Sequence, residues 1–128
     1  EDLLRRDEEG FYYLVDRKKD MIKTGGENVY AQEVEDVLRN HPSIFDCALI
    51  GVDDDRFGEA VAAAIVLNSG CTLSDEELIA YCRANLPSYK KPRYVAFVDE
   101  LPHNVTGKIQ KSVLRENADK LFRPVRGL

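Results

Sequence analysis

The chain has 128 residues, of which 44% are hydrophobic and 32% charged, values normal for one globular domain. Its formal net charge is −5 with both signs scattered, which argues against a nucleic-acid binder with a basic face. No apolar run approaches the roughly 20 residues of a membrane helix, and the charged first residues do not resemble a secretory leader. We therefore expect a cytoplasmic domain with no membrane span.

The cysteine pattern excludes the usual metal sites. Cys47, Cys71 and Cys82 are irregularly spaced and form no C-x-x-C pair, so we expect reduced thiols and no metal site. No Ser-His-Asp or Cys-His arrangement is suggested either.

The first forty residues predict a strand, a charged break, a hairpin and a helix. The aromatic and β-branched run 11–15 predicts a strand. The charged run 16–20 follows, and we interpret it as a domain boundary or hinge. Extended runs on both sides of Gly25-Gly26 predict a hairpin with a primed turn. Apolar residues at i, i+3 and i+4 then predict a helix over about 31–40.

The remaining chain predicts a small α+β fold. Continuous apolar runs at 47–52 and 61–67 are typical of strands buried on both faces, and 94–98 predicts a third strand. A capping box, Ser74 to Glu77, opens a second helix, and a last helix begins at about 111. The expected architecture is a small, mostly antiparallel three-stranded sheet with helices packed on it and an outlying β-hairpin.

Two motifs carry a family resemblance. The run from Asp16 to Tyr30, DRKKDMIKTGGENVY, is similar to the hinge-and-loop motif of adenylate-forming enzymes. The run from Leu101 to Ile109, LPHNVTGKI, resembles the terminal lysine motif of the same superfamily, in the same order and at about the same spacing. The superfamily contains acyl-CoA synthetases, nonribosomal peptide adenylation domains and firefly-type luciferases. The Gly-Gly-Glu-Asn-Val loop resembles fatty-acyl and aryl-CoA ligases most.

The resemblance implies a mobile C-terminal domain at 17–128, with 1–16 as the tail of a large N-terminal domain. Because the chain also lacks an initiator Met, we expect a fragment or a processed product. Such enzymes activate a carboxylic acid with ATP to an acyl-adenylate. The small domain then rotates, and the CoA thiol displaces AMP. The implied co-substrates are ATP and CoA, with the Mg²⁺ ligand in the large domain. The domain by itself is expected to be inactive.

The resemblance also assigns residues to the adenylation step. Lys108 matches the adenylation lysine, whose ammonium would offset the repulsion between a carboxylate and the α-phosphate. Arg17 matches a nucleotide-contacting arginine, and Lys19 matches the hinge, where many members have Asp. Asp2 aligns with an aspartate that binds the ribose hydroxyls. By pattern alone, Lys108 could equally be an ordinary surface lysine.

A second set of residues matches the family's CoA contacts. The loop that lines the pantetheine tunnel corresponds to Gly25, Gly26, Glu27 and Asn28. The residues that match contacts to the CoA nucleotide are Phe57, Tyr89, Lys91 and Arg93. An aromatic ring offers a flat face to adenine, and the basic residues suit phosphates. Simple loop packing and a solvated basic face are the alternatives.

Two other classes of function stay open. One is a stand-alone α+β module that binds a partner or a nucleotide without catalysis. The other is a domain of a luciferase-like or peptide adenylation enzyme. The resemblance favours an acid–CoA ligase of fatty acid metabolism. The acid itself cannot be read, because selectivity would lie in the large domain.

Overall fold

The computed structural model describes residues 20–128, so the predictions made for residues 1–19 lie outside the described part. The strands are β1 (Met21–Thr24), β2 (Glu27–Tyr30), β3 (Ile44–Asp54), β4 (Gly58–Leu67), β5 (Tyr94–Phe97) and β6 (Arg123–Pro124). The helices are α1 (Ala31–Arg39), α2 (Asp75–Asn85), α3 (Lys111–Glu116) and α4 (Ala118–Leu121), with a 3-10 turn at Ser88–Lys90. The predicted α+β class is confirmed.

The main sheet has four strands in the order β3-β4-β5-β6. The pairs β3–β4 and β5–β6 are antiparallel and β4–β5 is parallel, so the three predicted strands are confirmed. The fourth strand, Arg123–Pro124, was not predicted, because two residues carry no alternation and one is proline. Proline is tolerated there because β6 ends the order of strands and needs no further donor on its outer side.

Both faces of the sheet are buried, as the apolar runs predicted. Alternate residues of β3 and β4 point to opposite sides because side chains alternate along a strand. One side packs against the β1–β2 hairpin, α1 and α2, and its buried residues include Cys47, Leu49, Val61, Ala63 and Ile65. The other packs against α3, α4 and the segment 101–110, and its buried residues include Ala48, Ile50, Ala62, Ala64 and Val66. The sheet is therefore the middle layer of three.

The last helix is interrupted, so the prediction of one continuous helix from about 111 is wrong. The break falls at Asn117, whose φ of −109° and ψ of 15° leave the helical region. Its side-chain amide donates to the Val113 carbonyl at 2.9 Å, a local bond with which asparagine commonly competes against helix. Leu114, Ala118 and Leu121, which are spaced at i, i+4 and i+7, nevertheless all face the sheet.

Helix α1 runs beside the outer edge of β3 and covers backbone groups that this edge leaves unpaired. The Leu49 N–H donates to Glu35 Oε2 at 2.8 Å, and Arg39 donates to the Cys47 carbonyl at 3.1 Å. Glu35 is buried, and Lys111 on α3 contacts the same carboxylate oxygen at 2.7 Å. Side chains that cover an edge in this way block pairing with another chain.

We expect Glu35→Ala to destabilise the chain by about 2–3 kcal/mol, because it leaves a buried N–H unpaired and removes a carboxylate from Lys111. Urea unfolding of the 128-residue chain measures this. The matched control is Glu33→Ala on the same helix. Glu33 is exposed and pairs with Lys90, so its loss should cost no more than about 0.5 kcal/mol. Equal losses in the two variants would contradict the role given to Glu35.

A second ionic contact fastens β6 to α2. Arg123 donates to both oxygens of Asp75, at 2.7 and 2.9 Å, and the Arg126 N–H donates to one of them at 2.7 Å. These bonds, the Arg123 bond above all, lower the pKa of Asp75 from its usual 3.8 to about 2. The short C-terminal strand therefore depends on an ionised Asp75.

The sign of this shift predicts a dependence on pH. A depressed pKa stabilises the fold above about pH 4, and the contribution is lost as the pH falls from 4 toward 2. We expect Asp75→Asn to lower the free energy of unfolding by about 1 kcal/mol at pH 6, a discounted figure because Arg123 is 39% exposed. Urea unfolding of both proteins between pH 6 and 2 checks this. A gap that widens on acidification would refute it.

Candidate functional site

The glycine turn has the backbone that its sequence predicts. Gly25 and Gly26 have φ values of 57° and 86°, both in the region that glycine adopts readily, and the hairpin closes as a primed turn. Gly25 N–H donates to the Phe57 carbonyl at 3.0 Å. A β-carbon on Gly25 would lie 3.3 Å from the Phe57 ring. The turn is thus held against the loop between β3 and β4.

A side chain of β4 also fixes the hairpin to the main sheet. The Lys23 N–H donates to Glu59 Oε1 at 2.8 Å. To reach it, the Glu59 side chain crosses the place that a β-carbon on Gly51 would take, 2.4 Å from Glu59 Cδ. The hairpin is therefore attached to β4 by a side-chain hydrogen bond as well as by packing.

Phe57 is placed by an aspartate that the sequence did not reveal. Asp54 Oδ1 accepts hydrogen bonds from the N–H groups of Arg56 and Phe57, at 2.8 and 3.1 Å. Its other oxygen accepts from the Tyr94 hydroxyl at 2.8 Å. The Tyr94 bond lowers the pKa of Asp54 and raises that of Tyr94. An Asp two residues before an Arg-Phe-Gly turn is a typical turn-forming signal, but Tyr94 is 40 positions away.

Some of the residues predicted to contact CoA lie next to one another. The Arg93 guanidinium lies over the Phe57 ring, with its carbon 4.2 Å from the centroid, and Arg56 lies 5.1 Å from the same centroid. Together with Gly25, these residues form a cationic–aromatic cluster that we name the Phe57 cluster: Gly25, Arg56, Phe57 and Arg93. It gathers three residues that the sequence assigned to CoA and adds Arg56.

The other predicted CoA contacts lie on neighbouring elements. Tyr89 is 39% exposed on the 3-10 turn, which contacts β2, and Lys90 lies 5.7 Å from its ring centroid. Lys90 forms an ion pair with Glu33 at 2.8 Å, and this raises the pKa of Lys90. Lys91 is half-buried, whereas Glu27 and Asn28 on β2 are exposed.

Lys108 is exposed on a tightly organised loop. Its N–H donates to Asn104 Oδ1 at 2.9 Å, and its carbonyl accepts from the Asn104 N–H at 2.8 Å. The same Asn104 oxygen accepts from the N–H and hydroxyl of Thr106, at 2.9 and 2.7 Å. Gly107 turns the chain with a φ of 88°. The backbone that carries the lysine is thus fixed by one asparagine.

An open cleft of about 500 Å³ lies beside this loop. Its lining includes five charged side chains: Asp20, Glu35, Lys108, Lys111 and Arg115. Lys111 contacts both carboxylates, at 2.7 Å from Glu35 and 3.0 Å from Asp20. Neither carboxylate was predicted as a partner of Lys111. Glu35 stands four residues after buried Ala31 and three before buried Leu38, so its place on the apolar face was a usable signal.

Three of the predicted site residues precede the range that the structure describes. Asp2, Arg17 and Lys19 lie outside the described residues. Within residues 20–128, no group of three or more His, Cys, Asp or Glu side chains could hold a metal ion. In the same range, no helix is long and apolar enough to cross a membrane.

Comparison with known proteins gives a consistent family. Residues 33–108 match the sequence profile of the AMP-binding enzyme C-terminal domain. The mitochondrial medium-chain acyl-CoA ligase ACSF2 of Rattus norvegicus is 45% identical over 119 residues, 93% of this chain and 19% of that protein. The putative acyl-CoA synthetase YngI of Bacillus subtilis is 45% identical over 121 residues, 94% of this chain and 22% of that protein.

A solved structure agrees in fold. ATP-bound MatB from Rhodopseudomonas palustris superimposes with a TM-score of 0.75 at 40% identity, over 78% of this chain and 20% of that one. The chain therefore spans about a fifth of the length of these proteins. Because the family profile covers more than half of the sequence, the chain belongs to the AMP-binding enzyme C-terminal domain family.

Proposed function

We propose that this chain is the C-terminal domain of an AMP-forming acid–CoA ligase and serves two successive half-reactions. The observation that carries the proposal is the placement of two candidate surfaces on opposite faces of one sheet. The hairpin that bears the glycine turn packs on one face through Ile22 and Val29. The Lys108 loop packs on the other face through Leu101 and Ile109. A two-step enzyme that presents each surface in turn needs such an arrangement.

In this proposal Lys108 acts in the first half-reaction, formation of the acyl-adenylate. A carboxylate and the α-phosphate are both anionic, so their approach is opposed by repulsion. An ammonium placed between them stabilises the charge of the transition state. The fixed loop around Asn104 supports this role, because a preorganised charge costs little reorganisation during the reaction.

The Phe57 cluster and the glycine turn act in the second half-reaction. Phe57 offers a ring to the CoA adenine, and Arg93 and Lys91 offer charge to its phosphates. Gly25 and Gly26 line the pantetheine path, with Glu27 and Asn28 beside it. The support is that Gly25, Phe57 and Arg93 lie in contact, although no sequence spacing requires it.

The pivot and nucleotide contacts of the proposal lie just before the described range. Lys19 would be the hinge, Arg17 would contact the nucleotide, and Asp2 the ribose. The large N-terminal domain would hold most of the ATP site and the acyl pocket. As the family resemblance implies, it would also hold the ligand of the ATP-bound Mg²⁺. The isolated chain should then give no ATP–pyrophosphate exchange.

Two alternatives remain distinguishable by experiment. A luciferase-like or peptide adenylation enzyme would form the adenylate but pass no acyl group to CoA, so assaying the full-length protein for a CoA thioester separates these from a CoA ligase. A stand-alone binding module would be encoded by a short gene, so the mass of the native product separates it.

We expect Lys108→Ala in the full-length enzyme to lower acyl-adenylate formation by about 100-fold or more, the usual effect of losing a preorganised charge. Thioester formation from supplied acyl-adenylate should stay near normal. Pyrophosphate release and CoA-thioester yield, measured separately, test this. Lys120→Ala, at another exposed lysine, is the control and should leave both rates unchanged. Equal damage to both half-reactions by Lys108→Ala would contradict the assignment.

The glycine turn gives a second test. Gly26 has a φ of 86°, so any side chain is strained there, yet a β-carbon meets nothing within 4 Å. Gly26→Ala and Gly26→Leu should therefore lose similar stability, about 1–2 kcal/mol. If the turn lines the CoA path, the thioester step should fall further with Leu than with Ala while adenylation survives.

The control for backbone strain is Gly70, which has a φ of 79° and equal open space. Gly70→Ala and Gly70→Leu should lower the melting temperature as the Gly26 variants do, with no selective loss of the CoA step. A folded Gly26→Leu enzyme with a normal thioester rate would remove the turn from the CoA path.

A further inference from the structure

Lys111 joins two parts of the chain that are 91 positions apart. Its ammonium lies 2.7 Å from Glu35 Oε2 and 3.0 Å from Asp20 Oδ2, and its side chain is only 13% exposed. We propose that Lys111 is a positioning residue that fixes the Lys108 loop relative to the pivot. This inference rests on the proposed function and extends it to a residue that would not touch the reactants.

The Asp20 end of the contact lies next to the proposed pivot. Asp20 follows Lys19 directly, and its carbonyl accepts a hydrogen bond from the Ala31 N–H at 2.9 Å. Its backbone is thus tied to the start of α1, while its carboxylate is tied to Lys111. The first described residue after the pivot is therefore anchored at two points of the domain.

The Lys108 end is linked through a short and ordered backbone. Two residues separate Lys108 from Lys111, so the two Cα atoms can be at most about 11 Å apart. Within that segment Ile109 packs on the sheet and bridges to His103, and the Gln110 N–H donates to the Pro102 carbonyl at 2.8 Å. A displacement of Lys111 would therefore displace the backbone of Lys108 by a similar distance.

Glu35 holds the Lys111 ammonium in place. This carboxylate is buried and is held by the Leu49 N–H on β3. The Lys111 ammonium lies between this carboxylate and Asp20 and away from most water, so moving it would leave a buried charge unpaired. The domain then rotates about the pivot with the lysine loop in one orientation. A misplacement of about 1 Å at a reacting group can cost about 100-fold in rate, so this orientation has a kinetic value.

The test uses the full-length enzyme with Asp20→Asn and Lys111→Met. We expect the kcat of acyl-adenylate formation to fall by about 10- to 100-fold. The KM for ATP should change less than about twofold, and the thioester rate from supplied adenylate should be near normal. Lys111→Arg should recover most of the rate, because a guanidinium can contact both carboxylates. The double variant should be no worse than Lys111→Met, because both changes break one contact.

The control separates positioning from loss of stability. Asp46 forms an ion pair with Arg39 at 2.9 Å on the same edge of the sheet, and its exposure of 28% is close to the 32% of Asp20. Asp46→Asn should lower the melting temperature about as much as Asp20→Asn, with the ratio of the two half-reactions unchanged.

Three results would overturn the proposal. The first is an Asp20→Asn enzyme whose adenylation rate matches that of Asp46→Asn. The second is a Lys111→Met enzyme in which both half-reactions fall alike. The third is a wild-type enzyme with no ATP–pyrophosphate exchange on any carboxylic acid, which removes the proposed function as well. Normal exchange in the wild type with normal Asp20→Asn kinetics removes the positioning role alone.

Discussion

The buried carboxylate of Glu35 lies where a helix, an open strand edge and the base of a loop meet. A carboxylate away from water is costly unless hydrogen-bond donors and a cation surround it. Here the Leu49 N–H and the Lys111 ammonium supply them. This requirement sets how closely α1 approaches β3 and where α3 begins. The Lys108 loop ends at α3, so the location of the candidate catalytic lysine follows from the neutralisation of a charge in the core.

The main sheet separates the two candidate surfaces from each other. Continuous apolar strands bury both faces, so each face must be covered by a separate group of elements. The hairpin with the glycine turn covers one, and the segment with Lys108 covers the other. Glu59 bonds the hairpin to β4, and Ile109 packs the Lys108 loop on the sheet. Both candidate surfaces are thus attached to the same sheet.

Much of this fold could be predicted from local patterns. The hairpin follows from two adjacent glycines, the capping box at Ser74 is formed as predicted, and the apolar runs are strands. The features that were not predicted depend on a side chain that competes for a backbone hydrogen bond, or on partners far apart in the sequence. Asn117 broke a helix whose apolar spacing was sound, because its amide captured a carbonyl. The contacts of Glu35, Asp54 and Lys111 were not predicted, because their partners lie far along the chain. The two motifs identified Lys108 and the turn, yet neither could indicate that Arg93 would lie on Phe57.

Gly51 is constrained by a neighbouring side chain and not by its own backbone conformation. Its backbone is extended, so no turn or unusual dihedral angle requires glycine there. The requirement comes from Glu59, whose side chain occupies the space above it on the way to Lys23. Even alanine would push that flexible side chain aside and break its bond to Lys23, while Ile22 and Val29 would still pack the hairpin on the sheet. A small side chain at position 51 should therefore leave the melting temperature nearly unchanged, and its effect should show in how firmly the glycine turn is held.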